Sequence, residues 1–226
     1  MSSIDHLLNT VHCMDCLEFM KKLPDKCIDL VLTDPPYWIN MSKWTHLKCD
    51  EKSISSKRKM IVGDWDSSKP SKDYFQEIFR VSKNQVIWWA NYFSEHLAWS
   101  RWWIFWDKKI DERSGSNFAD WEIAYTSFDR NVAKYSFATI GFDWLNNPQK
   151  EDKIHPTQKP LPLFRWILEN YSEKWMTILD PFAWSWTTGV ACKELGRDYI
   201  LIEKEPKYVD VINKRLANTT VSLFHS

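Results

Sequence analysis

Three places in this sequence combine acids with constrained backbone in a way that could do chemistry. "TDPPY" sets Asp34 before Pro35, Pro36 and Tyr37, so a carboxylate stands at the mouth of a loop stiffened by two prolines. "LDPFAWSWTT" runs from Asp180 through Phe182, Ala183, Trp184, Ser185 and Trp186 to Thr187 and Thr188. "YILIEK" ends an apolar run in Glu203. Each follows an apolar stretch of strand length, and open α/β sheets bind ligands at the carboxyl ends of their parallel strands. An acid at the end of the strand after such a loop is placed to hold ribose hydroxyls. Taken singly, a Pro-Pro-Tyr can be a plain turn and Glu203 a surface acid. The middle loop is unusual. It should be rich in glycine, because the backbone must take φ > 0 and approach a ligand closely, yet Trp184 and Trp186 stand in it.

The elements that must position these loops alternate along the chain. Residues 9–14 read as a strand, and residues 16–23 as a helix stopped by Pro24. "IDLVLT" suits a buried parallel strand. Residues 71–83 carry Tyr74, Phe75, Ile78, Phe79 and Val81 at helical spacing. Strands are expected at "QVIWWANYF", "WWIFWDK" and "WEIAYTSF", with the aromatic residues of the second in the core. A helix at "LPLFRWILENYS", a strand at 176–179, a helix at 188–195, a strand at "DYILIEK" and a helix at "PKYVDVINKRL" complete the series. Residues 40–72 and 129–153 are polar and read as loops. The alternation implies one α/β domain over residues 1–226, a mostly parallel sheet with helices on both faces.

Composition narrows the function. Thirty basic residues balance thirty acidic ones, which excludes a global polycation but leaves room for a local basic face. No apolar run is long enough to span a bilayer, and the polar start has no signal-peptide core, so the expectation is a soluble, cytoplasmic chain. Cys13 and Cys16 form a C-x-x-C, but no second pair follows at zinc-ligand spacing. Reduced, mostly buried thiols and no metal are expected.

"TDPPY", "HPTQKP" (residues 155–160) and "LDPFAxSxTTGVA" together resemble the amino-methylating DNA methyltransferases that use S-adenosylmethionine. The order, with the Pro-Pro-Tyr loop first, resembles their permuted β group. The resemblance implies a circularly permuted Rossmann-like methyltransferase fold, with a mostly parallel seven-stranded sheet. The strand ending in Glu203 would then lead in space to the strand at 9–14. It also implies a double-stranded DNA partner, no membrane, and a homodimer as an admissible assembly. An exocyclic amine on an aromatic base is a poor nucleophile, and the base must leave the stack to be reached. Asp34 and the Pro35 carbonyl would accept its two N–H groups and push the nitrogen towards sp³. Pro36 completes the rigid turn, and Tyr37 would stack on the base. Asp34 rather than Ser at this place favours adenine N6 over cytosine N4. The cofactor would be held by Asp15 near its adenine ring and by Glu203 at its ribose. Residues 180–188 and Asp34 would lie at its methionine part, and Thr157 and Lys159 would help to hold its carboxylate. Residues 40–72 and 129–153 are assigned to DNA contact and target reading. In the first of these, Lys57, Arg58 and Lys59 either meet phosphates or form a solvated loop.

The chain has 15 Trp and only 5 Gly. Trp65, Trp88, Trp103, Trp106 and Trp166 fit ordinary aromatic positions. Trp38, Trp44, Trp89, Trp99, Trp102, Trp121, Trp144, Trp175, Trp184 and Trp186 stand at turns or where the family has glycine. Counted as glycine, these ten would restore that residue to its usual share of about 7 %. A UGA codon that means glycine in the source, translated as tryptophan, would produce the pattern. The alternatives are cytosine N4 methylation, RNA methylation, and a catalytically inactive DNA-binding module in which Trp184 and Trp186 are genuine.

Overall fold

Ile28–Thr33 (β2) is apolar at nearly every position, and in the computed structural model it is buried on both sides at the centre of the sheet. The structure describes residues 4–36, 70–108, 119–138, 158–184 and 186–221. In chain order the strands are β1 (Thr10–Cys13), β2, β3 (Ser82–Trp88), β4 (Trp103–Asp107), β5 (Trp121–Thr126), β6 (Ala133–Ser136), β7 (Thr177–Asp180) and β8 (Asp198–Glu203). The helices are α1 (Cys16–Met20), α2 (Lys72–Val81), α3 (Leu161–Tyr171), α4 (Thr187–Leu195) and α5 (Pro206–Ala217).

All eight strands lie in one sheet, ordered β1-β8-β7-β2-β3-β5-β4-β6. The five strands from β1 to β3 are mutually parallel. β5 runs antiparallel to both of its neighbours, and β4 and β6 pair in parallel. The sheet is thus mixed and eight-stranded, one strand more than expected. The extra strand is β6, from the polar stretch assigned to DNA contact. "AKYS" is too short and polar to announce itself, and its partner β4 supplies the ladder that makes it a strand. "QVIWWANYF" also ends sooner than expected, turning at Trp89 into a short 3₁₀ turn at Ala90–Tyr92. The first strand lies beside the last, with Cys13 opposite Glu203.

Alternate strand residues feed two cores, as the two-residue side-chain period requires. Leu30, Leu32, Val86, Trp88, Ile178 and Leu201 face α3, α4 and α5. Val31, Ile87, Leu179, Ile200 and Ile202 face α1 and α2. Gly189 lets α4 lie close on β8. A Cβ there would sit 2.5 Å from Leu201 Cδ1 and 3.2 Å from Leu216 Cδ2. This layering brings the carboxyl ends of β2, β7 and β8 side by side, since Val31 pairs with Leu179 and Asp180 with Leu201.

The tryptophans divide by backbone and only in part by burial, since Trp186, expected at a glycine position, is 2 % exposed. Among the described residues, five other than glycine have positive φ: Asn9, Lys26, Trp89 (55°), Trp175 (73°) and Trp186 (51°). Left-handed backbone strains a bulky side chain by roughly 1–3 kcal/mol, and all three tryptophans belong to the set expected at glycine positions. Trp99, Trp175 and Trp121 are 84, 82 and 52 % exposed, whereas Trp88 and Trp106, of the ordinary set, are 0 and 3 % exposed.

Candidate active site

β2 delivers Asp34 into the interior: the residue is 4 % exposed and its Pro35 neighbour is buried. Asp34 Oδ2 accepts a hydrogen bond from Lys159 Nζ at 2.8 Å. Asp34 Oδ1 is buried and has no hydrogen-bond partner among the described residues. Burial raises the Asp34 carboxyl to about 7, with Lys159 pulling the other way and Glu122 and Asp180 adding to the rise. Burial alone would lower the Lys159 ammonium, but Asp34 and Glu122 outweigh it and raise it, so the lysine stays charged.

Sequence reasoning placed Lys159 at the cofactor. In the structure its Nζ donates to Asp34 Oδ2. A second acid, Glu122 of β5, lies 3.2 Å from Lys159 Nζ through Oε2 and pairs through Oε1 with Lys108 Nζ at 2.5 Å. Neither Glu122 nor Lys108 stood out in the sequence, because both lie beside aromatic strand residues that read as core. A charge placed at an otherwise apolar, inward position of a strand is the signal that could have found them.

The next loop is shaped by Asp180 at the end of β7. Its Oδ1 accepts from Thr33 Oγ1 at 2.8 Å and from the Phe182 N–H at 3.1 Å, and its Oδ2 from Thr188 Oγ1 at 2.5 Å. Burial raises this acid to about 6 against those donors. The Ala183 N–H donates to the Ile202 carbonyl at 3.0 Å, and Thr187 Oγ1 to the Lys159 carbonyl at 3.2 Å. Asp180, Ala183, Trp186, Thr187 and Thr188 are all buried, and none of them lines the pocket beside the loop. Their contacts tie β2, β7, β8 and α4 together and so set the course of the loop.

That pocket joins the two motif loops. Pro36, Tyr74, Phe182, Trp184, Glu203 and Tyr208 line it, with Asp15 at its edge. Glu203 is 7 % exposed; burial, helped by the charge of Glu205, raises its carboxyl to about 7, while the Glu205 N–H bonded to its Oε1 opposes the rise. Asp15 caps α1, accepting from the Leu17 and Glu18 N–H groups, and also takes the Tyr74 hydroxyl at 3.0 Å. Tyr37, Thr157, Ser185 and the Lys57, Arg58 and Lys59 cluster lie outside the described residues, as do most of 40–72 and of 129–153.

The expected cofactor fits this pocket at one end only. A nucleoside finds what it needs at Glu203, Phe182 and Tyr74: a carboxylate for hydroxyls and rings for a base. At the other end the Trp184 indole lines the pocket, and its Nε1–H donates to the Asp34 carbonyl at 3.3 Å. The indole thus spans the gap between the two loops, where a methyl donor would have to meet an amine at Asp34. Trp186 holds the N-cap of α4 in left-handed backbone with its Nε1 buried and unpartnered. Among the described residues no group of three His, Cys, Asp or Glu side chains could hold a metal, and no helix is long and apolar enough to cross a membrane.

A DNA methylase family model of the N6/N4 type matches residues 103–214. The chain is 28 % identical to the Type II methyltransferase M.HinfI of Haemophilus influenzae, over 95 % of this chain and 70 % of that protein. It is 24 % identical to the Type II methyltransferase M2.MboI of Moraxella bovis, over 91 % of this chain and 86 % of the other. Among solved structures, the M1.HpyAVI–SAM complex superposes with a TM-score of 0.51 at 24 % identity, covering 92 % of this chain and 98 % of that one.

Proposed function

Because the chain belongs to the amino-methylating DNA methyltransferase family, we propose that, with glycine at positions 184 and 186, it transfers the methyl group of S-adenosylmethionine to adenine N6 in double-stranded DNA. The observation that carries the reading is the Asp34 carboxylate, buried, with Oδ2 engaged by Lys159 and Oδ1 without a hydrogen-bond partner among the described residues. When bound, the cofactor supplies an electrophilic methyl on a sulfonium, a good leaving group. Catalysis is then mainly positioning and electrostatics. Asp34 Oδ1 and the Pro35 carbonyl accept the two N–H groups of the amine and turn its lone pair towards the methyl. With the cofactor bound, Asp34 would take the surplus proton of the amine as the sulfonium gave up its methyl group. A carboxyl raised to about 7 is a competent acceptor near neutral pH. Glu203 holds ribose hydroxyls, and Phe182 and Tyr74 flank the base of the cofactor.

The aspartate at position 34 favours adenine over cytosine. Lysines and arginine at 57–59 serve as phosphate contacts. The fold reads as permuted and as one domain: the catalytic loop precedes the cofactor loop, and β1 lies beside β8. The deciding experiment incubates unmethylated plasmid DNA, and RNA in parallel, with the purified chain and with its Trp184→Gly/Trp186→Gly variant. Nucleosides are then analysed by mass. N6-methyl-2′-deoxyadenosine from DNA supports the reading; N4-methyl-2′-deoxycytidine or a methylated ribonucleoside from RNA replaces it. A second reading, a DNA-binding module without transfer, is favoured by the Trp184 indole between the loops. It predicts DNA binding and no methyl transfer from either chain.

A further inference from the structure

Asp34 is one end of a buried row of four charges drawn from four separate segments. Lys159, just before α3, lies between Asp34 and Glu122: it is hydrogen-bonded to Asp34 Oδ2 at 2.8 Å and lies within ion-pair distance of Glu122 Oε2, at 3.2 Å, without hydrogen-bond geometry to it. Glu122, on β5, lies between Lys159 and Lys108, the latter following β4. The side chains are 5, 2, 7 and 11 % exposed along the row. The two ammonium groups also lie over aromatic rings, Lys159 at 5.8 Å from the Trp88 ring centre and Lys108 at 5.3 Å from that of Trp106. Burying four charges is expensive, and breaking such an arrangement by removing one member costs several kcal/mol. A single Lys159–Asp34 pair would already neutralise the catalytic acid. The second pair therefore needs a reason beyond neutrality.

Its geometry supplies one. Lys159 has three N–H groups on a flexible stem, and alone with Asp34 it could close over both carboxylate oxygens. Glu122 draws it to the far side. Lys108 in turn holds Glu122, so the pull is fixed by two strands whose register sets Trp106 opposite Glu122. We propose that Glu122 is a positioning residue for methyl transfer: backed by Lys108, it anchors Lys159 on Oδ2 of Asp34 and so keeps Oδ1 open for the substrate amine. Glu122 touches neither substrate nor cofactor in this scheme. The inference rests on Asp34 as the amine acceptor, but its test does not require turnover.

The charged groups facing Asp34 are Lys159, Glu122 and Asp180, with Lys108 behind Glu122. Glu122→Gln releases Lys159 to Asp34 alone. The titration midpoint of the Asp34 carboxyl carbon, followed by ¹³C NMR on the full chain, should fall by about one unit or more, a tenfold change in proton affinity. Glu122→Asp should restore most of the wild-type midpoint. Asp180 titrates nearby without touching the row and serves as the control for a retained fold. Where Glu122→Gln leaves Lys108 unbalanced and fails to fold, the charge-balanced Lys108→Met/Glu122→Gln chain takes its place, with a smaller downward shift expected, since the lost Lys108 charge acts on Asp34 in the opposite direction. An Asp34 midpoint unchanged in a folded variant overturns the proposal, and so does a downward shift of the same size when Glu122→Gln is made in a Lys159→Met background, because the lost Glu122 charge acts on Asp34 by itself and only the part of the shift that needs Lys159 reports its positioning. If the midpoint shifts as stated but no methyl transfer is found with any nucleic acid, the positioning stands and the functional reading falls.

Discussion

The Trp184 indole donates its Nε1–H to the backbone carbonyl of Asp34 at 3.3 Å, bolting the cofactor loop to the catalytic loop. Those two loops must part by the width of a methyl donor if the chemistry is to take place between them. The chain as written should therefore bind S-adenosylmethionine weakly or not at all. Trp184→Gly with Trp186→Gly should restore binding, with Trp38→Gly added if needed. Isothermal titration of the two chains checks this, and tight binding by the unaltered chain would remove the steric argument.

The gene offers an independent check. The ten tryptophans at glycine-like positions should be UGA codons, and Trp65, Trp88, Trp103, Trp106 and Trp166 should be UGG. UGA and UGG scattered across both sets would end the recoding idea.

Stability separates the same two sets without any ligand. Trp175 is exposed and held at φ 73°, so Trp175→Gly should raise unfolding stability by about 1 kcal/mol. Trp88 is fully buried in one core, so Trp88→Gly should lower it by about 3–5 kcal/mol or more. Urea unfolding of the two variants gives the signs directly. A destabilising Trp175→Gly would mean that the indole contributes to the fold at that place.

Asp34→Asn keeps the shape of the side chain and removes the proton acceptor. In the glycine-loop background it should cut transfer by about 10²–10⁴-fold while leaving cofactor affinity close to normal. Asp34→Ala should abolish transfer. Single-turnover transfer and cofactor titration on the same samples distinguish this from a loss of fold, and near-normal turnover would sink the mechanism.

Glu203 makes stability depend on pH in a defined direction. Its folded carboxyl is raised from 4.5 to about 7, chiefly by burial. The folded state holds the proton more tightly than the unfolded one, so this contribution is full below about pH 4.5 and is lost as pH rises through 7. Glu203→Gln removes the effect. The variant should gain on the parent between pH 5 and pH 8 by something on the order of 2 kcal/mol. Equal urea midpoints at both pH values would show that Glu203 is solvated in the folded chain.

Much of this site was legible in the sequence because it is carried by short motifs at strand ends. Asp34, Phe182 and Glu203 stand where the alternation of strands and helices puts them, on one edge of the sheet, and Phe182 and Glu203 share one pocket with Pro36. Lys159 was found, but its partner was not. The Lys159–Asp34 contact joins residues 125 positions apart, and nothing local to "HPTQKP" reveals which acid it meets. Glu122 and Lys108 escaped because their meaning depends on the β4–β5 register, which aromatic strand patterns do not announce. The hydrogen bond between the Asp180 and Thr188 side chains escaped for a similar reason: it spans the turn between β7 and α4.

Gly189 shows what the misreading of a single codon could do to this fold. A side chain there would have to displace Leu201, since a Cβ would sit 2.5 Å from its Cδ1. A tryptophan at 189 would pry the layers apart, whereas at 99, 121 or 175 it hangs in solvent. At 184 it leaves the fold standing and closes the reaction centre. If the ten codons are UGA, a cell that reads UGA as tryptophan would make a folded protein that leaves its chromosome unmarked. The activity would then be locked to hosts whose transfer RNA answers UGA with glycine, and moving the gene between organisms would carry the scaffold across without the enzyme.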